Sequence, residues 1–132
     1  MTADLDELLA VARGQLGHRP GPIETAAAVT NGALLVDIRP IEQRRRGGEI
    51  PGAVIIDRNV LEWRLAPSSP HRLPDMGDHD RLVVVMCNEG YASSLAAATL
   101  RNVGLDRVTD LDGGFQAWAA AGLPVRAVDD AP

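Results

Sequence analysis

The sequence predicts an α/β fold in which a central parallel sheet is covered by helices on both faces. Short apolar runs alternate with helical or turn-rich stretches along the chain. These runs are apolar almost throughout rather than at every second residue, which is typical of parallel strands that are buried on both sides. The runs span residues 33–37, 53–56, 82–86 and, more weakly, 108–111.

The stretches between the runs predict the helices. Residues at about 3–16 should form an amphipathic helix, because apolar side chains recur at helical spacing. Further helices are predicted over residues 23–29 and 92–103, and Phe115 with Trp118 should anchor a last helix. Residues 67–79 are rich in proline and serine and predict a surface loop, and the tail from Val125 is expected to fray. The apolar face of the first helix comprises Leu5, Leu8, Leu9, Ala12 and Leu16.

Composition limits the class of protein. A chain of 132 residues with 45% hydrophobic and 23% charged residues fits one domain over residues 1–132, with a core at about 20–126. The net charge of −5 argues against nucleic acid as a partner. No apolar run reaches the roughly 18 to 20 residues of a membrane span, so we expect no membrane partner and a cytoplasmic location.

Cys87 is the only cysteine in the chain. It cannot form an internal disulfide, and the histidines are too few and scattered for a zinc site, so we expect no metal and no cofactor. Cys87 follows the third apolar run and precedes a predicted helix. In parallel sheets this is where ligand sites form, and the unpaired amides of a helix start can stabilise a thiolate. A buried apolar filler is the alternative, and the local pattern leaves both open.

Five segments occur in the order and approximate spacing of rhodanese-like domains, and the chain resembles that family. They are 35–39 (LVDIR), 49–53 (EIPGA), 87–93 (CNEGYAS), 111–118 (LDGGFQAW) and 121–125 (AGLPV). The resemblance implies a three-layer sandwich with about five parallel strands. It also implies that Cys87 accepts a sulfane sulfur from a small donor as a persulfide and passes it to a thiol or cyanide-like acceptor.

The resemblance places further residues at the site. Asp37 and Arg39 would brace it as structural support. The loop would bind the substrate through its backbone amides, with the Ser93 hydroxyl as a supplement and Tyr91 shaping the acceptor pocket. The substrate-binding residues are therefore Asn88, Glu89, Gly90, Tyr91, Ala92 and Ser93.

Two departures qualify the expected chemistry. The loop carries no cation, and Glu89 would repel a dianion, so thiosulfate is not expected to be the natural donor. Ser93 stands six positions after Cys87, where phosphatases and arsenate reductases of similar fold place an arginine, so phosphatase activity is not expected. The run 44–46 of three arginines is interpreted as a solvated face unless Arg39 or Arg44 points at Cys87.

The predicted function is sulfur transfer through Cys87. An alternative of another class is a catalytically weak rhodanese-fold module that acts in protein interaction or in redox or sulfur sensing. A third interpretation is a carrier in contact with a sulfur-relay protein, which differs from the first only in its donor.

Overall fold

A computed structural model describes residues 2, 4–74, 76 and 80–128. Within these residues the chain forms four strands and six α-helices. In chain order they are α1 (Leu5–Leu16), α2 (Pro22–Thr30), β1 (Leu34–Asp37), α3 (Ile41–Gly47), β2 (Val54–Ile55), a 3₁₀ turn (Arg58–Val60), α4 (Leu61–Leu65), β3 (Val83–Met86), α5 (Ala92–Asn102), β4 (Val108–Asp110) and α6 (Gly114–Ala120).

The four strands form one parallel sheet in the order β2-β1-β3-β4. Asp37 pairs with Met86, and Val85 pairs with Asp110. The carboxyl ends of β1, β3 and β4 therefore meet at one edge of the sheet. That edge carries Asp37, Cys87 and Asp110, which places the only cysteine beside two buried carboxylates.

The side chains of each central strand alternate between two apolar layers, as the pleat requires. In β3, Val83 and Val85 join the layer that contains buried residues of α1, α4 and α5. Val84 and Met86 join the layer formed with α6 and partly buried residues of α2. Because both faces of the strands are covered, almost every strand position is apolar, and the predicted α/β sandwich is confirmed.

The number of strands differs from the prediction. Each of the four apolar runs forms a strand, but the described residues contain no fifth one. Their remaining pairing is an isolated antiparallel bridge between Glu49 and Arg126, with both N–H···O distances at 2.8 Å. This bridge is too short to be a strand. It also ties down the tail at Arg126, where fraying was expected, while residues 129–132 lie outside the described part of the chain.

The bounds of α1, α2 and α5 lie within two residues of those predicted from the sequence. Helix α1 begins at Leu5, and the Asp4 side chain caps it by accepting the Glu7 N–H at 2.8 Å. Residue 3 lies outside the described residues. Only Ala12 and Leu16 of the predicted apolar face are fully buried, whereas Leu5 and Leu8 are exposed.

The predicted loop over residues 67–79 is described at 67–74 and 76, where it forms neither helix nor strand. Residues 75 and 77–79, including His79, lie outside the described residues. None of the described helices has the length and apolarity that a passage through a bilayer requires.

Candidate active site

Cys87, at the end of β3, lines a cavity of about 390 Å³. The backbone N–H groups of Gly90 and Ser93 donate to Sγ at 3.2 and 3.3 Å. The Cys87 residue is 7% exposed and also packs on the apolar layer beneath it. The sulfur is therefore reachable from the cavity, and peptide hydrogens converge on it.

The other amides of the loop face no acceptor. Among the described residues, the backbone N–H groups of Asn88, Glu89, Tyr91 and Ala92 donate no hydrogen bond. These four residues line the cavity together with Cys87. The loop that the sequence singled out thus surrounds one cavity, with donors on the sulfur and unpaired donors beside it.

Two close backbone contacts shape the loop. Gly90 has φ +90°, and a Cβ there would lie 2.9 Å from the Gly113 nitrogen. Gly114 has φ +61°, and a Cβ there would lie 2.6 Å from the Cys87 carbonyl oxygen. The Phe115 N–H donates to that same carbonyl at 2.9 Å. The start of α6 therefore packs directly beneath the loop, which only glycine allows.

A buried carboxylate lies behind the sulfur. Asp110 has no exposed surface, and its Oδ2 accepts the hydroxyls of Ser93 at 2.7 Å and Ser94 at 2.8 Å. Because the single Ser93 proton goes to Asp110, the Ser93 oxygen accepts from the Cys87 thiol, at 3.2 Å. Cys87, Ser93 and Asp110 form one continuous hydrogen-bonded chain.

Arg19 completes this network. Its Nε donates to Asp110 Oδ1 at 2.7 Å, and its Nη2 donates to Oδ2 at 3.1 Å. Hydrogen bonding to Asp110 raises the pKa of Arg19 above its ordinary value, and nearby negative charge acts in the same direction, whereas burial opposes the rise. Arg19, Ser94 and Asp110 were missed in the sequence. Only Asp110 had a usable signal, since it ends a strand at the edge that carries the site.

Asp37 and Arg39 bind each other beside the cavity. The Arg39 Nη2 donates to Asp37 Oδ2 at 2.9 Å and to the Gly48 carbonyl at 2.8 Å. The guanidinium group also lies 4.0 Å from the centre of the Phe115 ring. This buried pair links the end of β1 to the connection between α3 and β2. Their bracing role stays a prediction.

Two arginines outside the loop line the cavity, namely Arg39, whose guanidinium group is paired with Asp37, and Arg58. Arg58, in the turn after β2, lines the cavity with Cys87, and its Nη1 bonds the Glu62 carboxylate at 2.9 and 3.0 Å. Arg44 instead bonds Glu49 at 2.7 Å and does not line the cavity. The cavity therefore has positive charge in its wall, although the loop sequence alone is acidic.

The aromatic residues divide between core and surface. Trp118 is buried and donates to the Pro124 carbonyl at 2.9 Å, as expected of a core anchor. Trp63 is 57% exposed and lines a separate cavity. Tyr91 is exposed at the Cys87 cavity, and the Arg13 guanidinium lies 5.6 Å from the centre of its ring.

Comparison with known proteins decides the family. Residues 22–121 match the sequence model described as a rhodanese-like domain. The chain belongs to the rhodanese-like domain family. The match covers the whole sheet and the Cys87 loop and leaves α1 outside it.

Relatives of this rhodanese-like domain include enzymes of sulfur transfer. It is 38% identical over 101 residues to the thiosulfate sulfurtransferase GlpE of Stutzerimonas stutzeri, covering 74% of this chain and 81% of that one. A protein of unknown function from Rhodopseudomonas palustris, described as a possible tyrosine phosphatase, is 32% identical with a TM-score of 0.84 and 96% coverage of both chains. The polysulfide-sulfur transferase homodimer of Wolinella succinogenes shares the fold at 23% identity, with a TM-score of 0.68 and coverage of 97% of this chain and 96% of that one.

The contact between α6 and the loop gives a test with a matched control. Gly114→Ala should destabilise the rhodanese-like domain by about 2 to 4 kcal/mol, because a strained φ is combined with a clash on the Cys87 carbonyl. Gly122→Ala, at φ +76° with no atom near the added carbon, should cost only about 1 kcal/mol. Urea unfolding measures both, and equal losses would contradict the proposed contact.

Proposed function

We propose that this rhodanese-like domain is a sulfurtransferase that carries the transferred sulfur as a persulfide on Cys87. The observation that carries the proposal is the set of amides around the sulfur, with those of Gly90 and Ser93 on Sγ and four others unpaired at the same cavity. The family and the sulfurtransferases among its relatives support sulfur transfer in general. The donor is a small sulfane-sulfur compound, and the acceptor is a thiol or a cyanide-like nucleophile.

The two steps need no external oxidant. The Cys87 thiolate attacks the outer sulfur of the donor, a new S–S bond forms, and the donor's bond to that sulfur breaks with its electron pair on the leaving group. The acceptor then attacks the outer sulfur of the persulfide, and the Cys87 thiolate leaves. Each step moves one formally neutral sulfur atom, and the cysteine returns to its starting state.

The amides match the charge that each step creates. Negative charge rests on Sγ before the first step and on the outer sulfur of the persulfide after it. The Gly90 and Ser93 amides stabilise the inner sulfur, and the unpaired amides of Tyr91 and Ala92, which line the same cavity, donate to the outer one. Fixed donors that face developing charge lower a barrier because they need no reorganisation.

Arg58 bears on the choice of donor. The acidic loop argues against a dianion, but a guanidinium group in the cavity wall attracts one, and Glu62 offsets part of that charge. The cavity is therefore suited to a donor of low negative charge, with Arg58 as its cationic contact. We also propose a cytoplasmic location, because the reaction needs a free thiol, which reducing compartments maintain.

Intact mass measurement tests the persulfide directly. Incubation with thiosulfate or with a mercaptopyruvate-like thiol should add one sulfur atom to the chain, and cyanide should remove it as thiocyanate. Cys87→Ser should gain no sulfur, because no other cysteine exists in the chain. A parent protein that gains no sulfur from either donor while its thiol still alkylates would favour the interaction or sensing module instead.

Arg58→Gln tests the donor contact. The KM for thiosulfate should rise about threefold to tenfold with little change in kcat, because the lost charge contributes to binding rather than to the transition state. The rise should shrink at high salt. Arg64→Gln is the control, since Arg64 bonds the His71 carbonyl and does not line the Cys87 cavity. Equal effects of the two substitutions would refute a local role for Arg58.

Ser93→Ala and Ser94→Ala separate contact with sulfur from support of the carboxylate. Both hydroxyls donate to Asp110, so both variants should lose about 1 to 2 kcal/mol of stability. Only Ser93 contacts Sγ, and its hydroxyl must turn its proton from Asp110 to the sulfur once Cys87 is a thiolate. Ser93→Ala should therefore slow persulfide formation about tenfold and Ser94→Ala only about twofold. Single-turnover mass measurements give the rates of persulfide formation. Equal slowing of the two variants would contradict a direct contact of Ser93 with the reacting sulfur.

A further inference from the structure

The segment that precedes the family match packs against the active site. Ala12 and Leu16 of α1 are buried in the same apolar layer as Cys87. The backbone after α1 is anchored as well, because the Asp112 N–H donates to the Pro20 carbonyl at 2.9 Å and Thr109 donates its hydroxyl to the His18 carbonyl at 2.9 Å. Residues 4–21 are thus held against α5 and the end of β4.

Two arginines of this segment converge on one carbonyl of the loop. The Gly90 oxygen accepts Arg13 Nη2 at 2.8 Å and Arg19 Nη2 at 3.0 Å, and the Ser94 hydroxyl lies 3.2 Å from it. In a trans peptide the N–H points opposite to the C=O, so this clamp turns the Tyr91 N–H away from the arginines. That N–H is one of the unpaired donors at the cavity. Two charged donors on one carbonyl therefore fix the orientation of the peptide that follows Gly90.

Arg19 also neutralises the charge behind the sulfur. The Asp110 carboxylate is separated from Sγ only by the Ser93 hydroxyl, so its negative charge would oppose an anionic sulfur. The bidentate pair with Arg19 offsets that charge at the site where the persulfide forms. One guanidinium group thus binds both the carboxylate and the loop carbonyl.

We propose, on the basis of the sulfurtransferase function proposed above, that Arg13 and Arg19 are positioning residues through which the N-terminal segment holds the sulfur-binding loop in its active shape. They act through the Gly90 carbonyl and through Asp110 rather than on the substrate. The working site then extends beyond the segment that matches the family, and the rhodanese-like core needs α1 and the turn after it to transfer sulfur at full rate.

Arg19→Lys is the decisive variant. Lysine keeps a positive charge beside Asp110, so no buried carboxylate is left alone, but it cannot form the bidentate pair and reach the Gly90 carbonyl at once. The single-turnover rate constant for persulfide formation should fall about tenfold, with the whole protein population still reacting. A purely structural defect would instead lower the fraction that reacts and leave the rate constant of the remainder unchanged.

Arg101→Lys is the matched control. Arg101 holds the same N-terminal segment through the Leu16 carbonyl at 3.2 Å and bonds the Val108 carbonyl at 2.8 Å, but it contacts neither the loop nor Asp110. The single-turnover rate constant for persulfide formation in Arg101→Lys should stay within about twofold of that of the parent protein. If Arg19→Lys reacts as fast as Arg101→Lys, the positioning role is overturned.

Alkylation of Cys87 by iodoacetamide separates this proposal from the proposed function. Alkylation depends on the thiolate that the oriented amides stabilise, but it needs no sulfur donor. The alkylation rate of Arg19→Lys should therefore fall below that of the parent protein even if the parent transfers no sulfur. Should Arg19→Lys fail to fold, Arg13→Gln replaces it, because Arg13 hydrogen-bonds only the uncharged Gly90 carbonyl and Ser94 hydroxyl and otherwise contacts the Tyr91 ring. Slower alkylation of Arg13→Gln supports the clamp, and alkylation at the parent rate overturns it.

Discussion

The buried carboxylate of Asp110 is the constraint on which the active site depends. A charge without exposed surface must be paired and hydrogen-bonded, since leaving it alone costs several kcal/mol. Arg19, Ser93 and Ser94 meet that requirement together. As a consequence the end of β4, the start of α5 and the segment before α2 are fixed to one another. The short loop from Cys87 to α5 is held between these fixed points, which is why its amides converge on the sulfur.

The electrostatics of the site arise from backbone N–H groups of the loop and from side chains that lie outside it. In the proposed mechanism the loop binds anionic sulfur through peptide hydrogens, whose positions are set by Gly90 and by the contact of Gly114 with the Cys87 carbonyl. Positive charge comes from outside the loop. Arg19 balances Asp110 behind the sulfur, and Arg58 lines the cavity in front of it. A loop whose only charged side chain is acidic can therefore still bind an anion.

The fold could be predicted from the sequence because apolar runs and helical spacing are local patterns of residues. A strand that is covered on both faces must be apolar at nearly every position, so the four apolar runs predicted all four strands to within one or two residues. Helix α1 was predicted in the same way from its spacing. The described residues contain four strands where about five were predicted, because the additional strand was implied by resemblance without an apolar run of its own. Glu49 and Arg126 pair through a single bridge instead.

The sequence by itself determined where the proposed sulfur carrier lies. The Cys87 loop is contiguous, and a strand end, the turn-forming residues Asn88 and Gly90, and a helix start occur together in one short segment. Only the tertiary structure decided what surrounds that loop. Asp110, Arg19 and Arg58 lie far from Cys87 along the chain and meet it because of the strand order β2-β1-β3-β4 and the packing of α1 on α5. The pairing of buried charges depends on distance and direction in three dimensions, and no local pattern of residues encodes either.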